Sequence, residues 1–204
     1  MNRILSIGWW RIGLRTGIVV VLALAAMRLC ANVYSDPPEI VLVLGEPYED
    51  MRKRSSAQID EVLSGHAWFR MPRSDAKLRF NDPVYGFVTP TARYFTVGFD
   101  DGKVRNVHMS PQTEPLRLDD ALRVALDLQD QWRRGGWVPL DANEWPPIAD
   151  NQEWRNRLHA CNFNAGFWRA SSRYQTQLGI TCFADDEHPN EERYLISLEV
   201  SRPY

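Results

Sequence analysis

The 204-residue sequence has few of the residues from which catalytic and metal sites are usually built. It has 4 histidines and 3 cysteines, and no two histidines are spaced to act as ligands from one helix face. H-E-x-x-H, G-x-S-x-G, Walker-type and G-x-G-x-x-G motifs are missing, as is any C-x-x-C pair. We therefore predict a protein that is not an enzyme and that has no cofactor and no bound metal.

Acidic residues are missing from the first 35 residues, which contain four arginines. Three of these arginines precede the apolar run of residues 17–27, and such a basic flank keeps the N-terminal side of a segment in the cytoplasm. Residues 12–34 are long enough to span a bilayer. We predict that residues 1–35 form a cytoplasmic N-terminus and a single transmembrane anchor, which would place the remaining chain across the membrane. A cleaved signal peptide is the alternative, because Ala23-Leu24-Ala25 resembles a cleavage site.

Basic residues are outnumbered in the remaining chain, residues 36–204, which we predict to be one domain on the far side of the membrane. This part holds 20 basic and 26 acidic side chains. An acidic domain lacks the clustered positive surface that nucleic-acid binding requires. Its charge leaves small molecules, envelope components or a partner protein with a basic surface.

Only two cysteines, Cys161 and Cys182, occur after residue 35. An oxidising compartment favours a disulfide between them, and two buried thiols are the alternative. A loop of about 20 residues closed in this way would stabilise the fold by roughly 3 kcal/mol on the loop-entropy account.

Hydrophobic periodicity predicts an α+β domain. Strands are expected over residues 39–44, 77–80, 93–99, 104–109, 168–171, 174–183 and 194–200. The apolar residues of Leu118–Arg134 recur every three or four positions, which predicts one strong amphipathic helix that ends at Gly135-Gly136. Residues 49–63 are expected to be a loop passing into a short helix, and residues 151–160 a second short helix. The expected fold is an antiparallel sheet with one main amphipathic helix packed on it, preceded by the transmembrane helix.

Aromatic residues mark two candidate contact segments. One is the proline-rich stretch 137–150, and the other is the turn-rich stretch 80–93. Core packing accounts for many buried aromatic rings, but aromatic residues with arginines nearby are also typical of interaction hot spots. The acidic hairpin loop between the strands 93–99 and 104–109 could add charge to such a surface. The predicted partner-binding residues are Tyr85, Phe87, Trp137, Trp145, Asp100 and Asp101.

Residues 74–137 combine a hairpin (RYFTVGFDDGKVRNVHM), a helix (LDDALRVALDLQDQWRR) and a terminal Gly-Trp. This stretch resembles small bacterial proteins that have an N-terminal membrane anchor and are often found beside type VI secretion toxins. Those proteins are regarded as immunity factors that neutralise a toxin in the periplasm. The resemblance implies the same role here, with the anchor in the bacterial inner membrane and residues 36–204 forming a periplasmic domain. It supplies no functional residues.

These features together predict a membrane-anchored periplasmic binding protein whose partner is a toxin with a basic surface. An inner-membrane accessory or scaffold protein of the cell envelope is the first alternative. An envelope hydrolase with an unrecognised site is the second, since paired loop carboxylates can perform acid–base chemistry when one of them is desolvated.

Overall fold

The computed structural model describes residues 36–61, 65–162, 164–185, 189 and 191–203. The N-terminal anchor or signal peptide predicted for residues 1–35 lies outside these ranges. Within them, no helix has both the length and the apolar composition needed to cross a membrane. Pro37–Tyr204 form one compact unit.

Ten strands and three helices occur in the described ranges. The strands are β1 (Glu39–Leu42), β2 (Trp68–Arg70), β3 (Lys77–Phe80), β4 (Phe87–Val88), β5 (Phe95–Asp100), β6 (Lys103–Met109), β7 (Val138–Pro139), β8 (Asn164–Ala170), β9 (Tyr174–Phe183) and β10 (Arg193–Ser201). The helices are α1 (Tyr48–Arg54), α2 (Leu118–Arg134) and α3 (Gln152–His159). This mostly antiparallel arrangement with a few helices confirms the α+β class.

A 7-stranded sheet with the order β2-β5-β6-β10-β9-β8-β7 forms the larger layer. Each described neighbouring pair in it is antiparallel. Side chains alternate across such a sheet, and one set of alternate residues is almost wholly buried. We call this side the inner face. It includes Phe95, Val97, Val107, Trp168, Leu178, Ile180, Ile196 and Leu198.

A separate 3-stranded sheet has the order β1-β3-β4. Its β1 and β3 are parallel and its β3 and β4 antiparallel, so the expectation of a single antiparallel sheet holds only for the larger layer. A parallel pair requires a long crossover, which α1 and β2 provide. The free edge of β1 is closed by hydroxyl groups, because Ser56 Oγ and Ser55 Oγ accept hydrogen bonds from the amides of Glu39 and Val41, both at 2.9 Å.

Helix α2 has the predicted bounds. It buries its apolar stripe between the two sheets, and the ring of Trp132 lies 5.7 Å from that of the inner-face residue Trp168. The helix ends where Gly136 adopts φ +79°, a left-handed conformation that glycine reaches without steric cost. The buried residues of the stripe are Leu118, Ala121, Leu122, Ala125, Leu128 and Trp132.

The two shorter helices are fixed by side-chain contacts. The expected order over residues 49–63, a loop followed by a short helix, is wrong, because helix α1 comes first, beginning just after Pro47 and ending at Arg54. Its Tyr48 is buried and donates a hydrogen bond to the carbonyl of Ile59 at 3.0 Å. Helix α3 is capped by Asn151, which accepts a hydrogen bond from the Trp154 amide at 2.9 Å. Arg155 then joins α3 to Asp119 in the first turn of α2 at 2.8 Å.

The disulfide predicted between Cys161 and Cys182 is present, with an S–S distance of 2.09 Å. It joins the segment just after α3 to β9. Cys161 has φ +56° and occupies the position after the helix cap where glycine is most often found. The bond therefore holds α3 against the sheet at a point where the chain leaves the helix.

Candidate protein-binding surface

The outer face of the 7-stranded sheet is the side opposite the inner face, and no helix of the described chain packs on it. Helix α2 contacts the ring of Trp168 on the inner face. The disulfide joins Cys161, just after α3, to Cys182, whose position in the alternation of β9 places it on the inner face as well. Outer-face side chains are mostly exposed or half-buried. They include Thr96, His108, Phe167, Arg169, Gln175, Gln177, Thr181, Leu195, Ser197 and Glu199.

An aromatic patch lies at the β8 end of the outer face. Trp145 is 40% exposed, and its ring meets that of Phe167 edge-on with the centroids 5.2 Å apart. Arg169 lies two residues further along β8 and therefore on the same face as Phe167. Val138 of β7 pairs with Arg169 and is 58% exposed. We call these four residues the Trp145 patch.

The loop after β7 holds Trp145 in place at both of its ends. The amide of Leu140 donates to the carbonyl of Phe167 at 2.8 Å, which continues the pairing of β7 with β8. At the far end, the side chain of Gln129 in α2 bonds both the carbonyl and the amide of Ile148, at 2.7 and 3.0 Å. Trp145 is thus presented from a fixed segment, and a preordered side chain loses less entropy on binding.

Phe87 and Trp137 are core residues, which corrects the expectation that they form part of a contact surface. Phe87 is 4% exposed and Trp137 is 2% exposed. The ring of Phe87 lies 5.7 Å from that of Trp132, and the indole N–H of Trp137 donates to the carbonyl of Tyr85 at 3.1 Å. Both rings fill the space between α2 and the small sheet, as expected of large apolar side chains close to a helix stripe.

Tyr85 lies at the rim of this core and is half-buried. Its ring is 6.1 Å from that of Trp137 and 6.2 Å from that of Tyr174. The guanidinium of Arg173 lies 6.0 Å from the centre of the Tyr85 ring. Part of the ring is therefore accessible, but its contacts are with the rim of the core and not with the Trp145 patch.

Asp100 and Asp101 are exposed in the turn between β5 and β6. Strands β6 and β8 are separated by β10 and β9 in the sheet order, so this turn lies at least three strand spacings, or roughly 14 Å, from the Trp145 patch. The structure does not bring the predicted acidic and aromatic residues together. They could act on a partner only as two distinct contact regions.

A buried carboxylate, Asp82, organises the rim around Tyr85. It is 5% exposed; its Oδ1 accepts hydrogen bonds from the amides of Val84 and Tyr85 at 2.9 and 3.0 Å. Its Oδ2 accepts from the hydroxyl of Tyr174 at 3.0 Å and from Arg173 at 2.9 Å. Burial raises the pKa of Asp82, but these donors outweigh it and hold the pKa below its ordinary value. The carboxylate is saturated with donors, and this suits a structural role better than proton transfer.

A second titratable group links α3 to β10. Glu192 lies 2.6 Å from His159 Nδ1 and accepts a hydrogen bond from the hydroxyl of Tyr194 at 2.9 Å. The contact with His159 lowers the pKa of Glu192. Burial raises the pKa of Tyr194 to about 12, so this hydroxyl stays protonated at neutral pH.

No group of three or more His, Cys, Asp or Glu side chains is arranged to hold a metal ion in the part of the chain that the structure describes. Two histidines there are paired with carboxylates, His108 with Glu199 at 3.5 Å and His159 with Glu192 at 2.6 Å. His66 packs edge-on against the ring of Trp68. These contacts give each of the three a structural partner.

No protein-family model, curated protein or solved structure matches the chain. The surface described above therefore has to be interpreted from its own geometry.

Proposed function

We propose that this protein is a membrane-anchored periplasmic binding protein that acts as an immunity protein, binding and neutralising a secreted antibacterial toxin. The observation that carries the proposal is the Trp145 patch. A half-exposed tryptophan set on a phenylalanine, with an arginine on the same face, has the composition of the residues that dominate binding energy at protein interfaces.

The patch favours binding over a purely structural role because its exposure is not needed for packing. The rings of Trp132 and Trp168 are completely buried, whereas Trp145 and Val138 are 40% and 58% exposed. Large apolar side chains that cluster at a surface mark interaction sites, while single ones are ordinary. Phe167 and Arg169 extend the cluster onto a rigid strand, which suits recognition of a folded partner.

The disulfide supports the proposed compartment, since such bonds persist in oxidising environments such as the periplasm. The basic flank and apolar run of residues 1–35 support an anchor that leaves the domain on that side of the inner membrane. The acidic balance of residues 36–204 would steer the domain toward a basic toxin surface. The resemblance of residues 74–137 to immunity factors supports the toxin as the class of partner.

Trp145→Ala tests the proposal, with Met71→Ala as the matched control. Met71 is also an exposed apolar residue, at 55%, and it follows β2 at the opposite edge of the sheet. The tagged full-length chain is used to capture its partner from membranes of the native cells, and mass spectrometry identifies that partner. We expect Trp145→Ala to weaken the complex by about 2 kcal/mol, roughly 30-fold in Kd, and Met71→Ala to leave it unchanged.

Function is then measured by exporting the captured protein to the periplasm of a sensitive strain. We expect growth arrest, rescue by the wild-type chain and by Met71→Ala, and weaker rescue by Trp145→Ala. A harmless captured protein, or equal rescue by both variants, would refute the proposal. Capture of several non-toxic envelope proteins would instead favour an accessory or scaffold protein of the inner membrane.

A further inference from the structure

A cavity of about 370 Å³ lies at the end of the large sheet where β5 turns into β6 and where β10 ends. It is lined by the turn-side residues Lys103, Arg105 and Asn106 of β6, by Ser201 and Arg202 at the end of β10, and by Gly45. Its volume is at the lower end of the range for small-molecule sites. Half of the lining residues are charged, although apolar atoms supply slightly more than half of the cavity surface, so any preference for a charged ligand rests on those charged groups.

Gly45 makes room for the Arg202 guanidinium. A Cβ built on Gly45 would lie 2.0 Å from Nη2 of Arg202, and the backbone of Gly45 has φ +90°. Any other residue here would meet a strained backbone and would require the Arg202 guanidinium to move. Arg202 therefore lies close to the backbone that follows β1, where it forms one wall of the cavity.

A β-bulge shapes the opposite wall. The β5–β6 register shifts between Gly98 and Phe99, which pair with Asn106 and Val104, so Arg105 is the extra residue. Bulges redirect side chains at functional positions.

The charges of the cavity are unbalanced. Most basic side chains of the domain form ion pairs within 4.0 Å, among them Arg54, Arg155 and Arg173. Of the described contacts, none gives Lys103, Arg105 or Arg202 such a partner. Two acidic side chains, those of Asp100 and Glu199, also line the cavity. Glu199 already lies 3.5 Å from His108.

We propose that this cavity binds a small carboxylate or phosphate. Guanidinium groups match the planar or tetrahedral oxygens of these anions, often through two parallel hydrogen bonds. The anion offsets the repulsion among the basic side chains of Lys103, Arg105 and Arg202. This site is separate from the Trp145 patch and does not depend on the proposed immunity role.

The test is isothermal titration calorimetry on the full-length chain with citrate and with glycerol 3-phosphate, at constant ionic strength set with NaCl. Arg202→Gln is the variant. Arg134→Gln is the control, because Arg134 is exposed at the end of α2 and also has no ion-pair partner in the described contacts. Thermal unfolding of each variant checks that the fold is intact.

We expect saturable binding of at least one probe, weakened about 10-fold or more by Arg202→Gln and unchanged in Arg134→Gln. Binding of citrate alone identifies a carboxylate site, and binding of glycerol 3-phosphate alone identifies a phosphate site. If neither citrate nor glycerol 3-phosphate binds saturably, the proposal is overturned. Equal weakening by both substitutions would also overturn it, because only the overall charge would then matter.

Discussion

Three glutamine side chains take the place of backbone hydrogen-bonding partners. The Gln131 amide bonds both the N–H and the carbonyl of Val88 at the free edge of β4, at 2.9 and 3.0 Å. Gln112 accepts from the amide of Ile196 and donates to the carbonyl of Tyr194, both at 2.9 Å. Gln129 does the same for Ile148. A carboxamide can do this because it carries a donor and an acceptor side by side, as a peptide group does.

Substituting Gln129 tests this arrangement. Gln129 is fully buried, so Gln129→Leu would leave the amide and carbonyl of Ile148 without partners. We expect a loss of about 2 to 4 kcal/mol of unfolding free energy, measured by urea denaturation. Gln175→Leu is the control, because that half-buried side chain has no hydrogen bond in the described contacts; its stability should change by less than about 0.5 kcal/mol. Similar losses in both variants would contradict this role.

Asp82 should make stability depend on acidic pH. Its folded-state pKa is below the ordinary value of 3.8, so its ionised form contributes stability that is present above the unfolded-state pKa. That contribution is lost as the pH falls through the folded-state value. We expect Asp82→Asn to cost about 2 to 3 kcal/mol at pH 7, and the difference from wild type to shrink below about pH 4.

Urea denaturation of both proteins between pH 7 and pH 2.5 measures this difference. Other carboxylates with lowered pKa values, such as Glu39 and Asp150, are present in both proteins and cancel in the comparison. A difference that stays constant over the whole range would show that Asp82 acts through packing and not through its charge.

At the scale of elements, the disulfide between Cys161 and Cys182 should account for a large share of the stability of the α3 region. The bond closes a loop with a sequence separation of 21. We expect the double variant Cys161→Ala/Cys182→Ala to lose about 3 kcal/mol. Dithiothreitol should lower the urea midpoint of the wild type to that of the variant and leave the variant unchanged. If dithiothreitol leaves the urea midpoint of the wild type unchanged, this expectation is contradicted.

The elements predictable from sequence were those whose signals are local. Leu118–Arg134 has an apolar stripe, acidic residues in its first turn and glycines after its last, and its bounds are confirmed. Strand β9 (Tyr174–Phe183) is likewise confirmed. By contrast, β4 and β7 are two-residue strands, which have no periodicity to detect because pairing alone defines them.

The candidate site shows the same limit. Trp145 stood out in the sequence because no helix or strand pattern explained it. Phe167 did not stand out, because β8 begins at Asn164 whereas the predicted strand began at Trp168. Arg169 lay inside the predicted strand, but that short strand did not show that Arg169 shares a face with Phe167. Conversely, Phe87 and Trp137 lie in segments that look exposed. Their burial depends on contacts with α2 that are distant in sequence.

At the scale of the whole molecule, the acidic residues and the Trp145 patch should affect different rate constants. Asp100 and Asp101 lie away from the patch, so we expect Asp100→Asn/Asp101→Asn to slow association with the partner a few-fold and to leave dissociation unchanged. Trp145→Ala should mainly speed dissociation. Surface plasmon resonance at two NaCl concentrations measures both rate constants. If Trp145→Ala slowed association and the Asp100→Asn/Asp101→Asn variant did not, the assignment of the two regions to different rate constants would be contradicted.

The uneven burial of the tryptophans gives the protein an internal optical reporter. Trp132, Trp137, Trp154 and Trp168 are at most 4% exposed, so a soluble quencher such as acrylamide should reach them poorly. Trp145 should be quenched readily and emit at longer wavelength, and the difference spectrum between wild type and Trp145→Phe isolates its signal. A partner docking on the outer face would shift that signal to the blue and shield it, so occupancy of the face can be followed without a label.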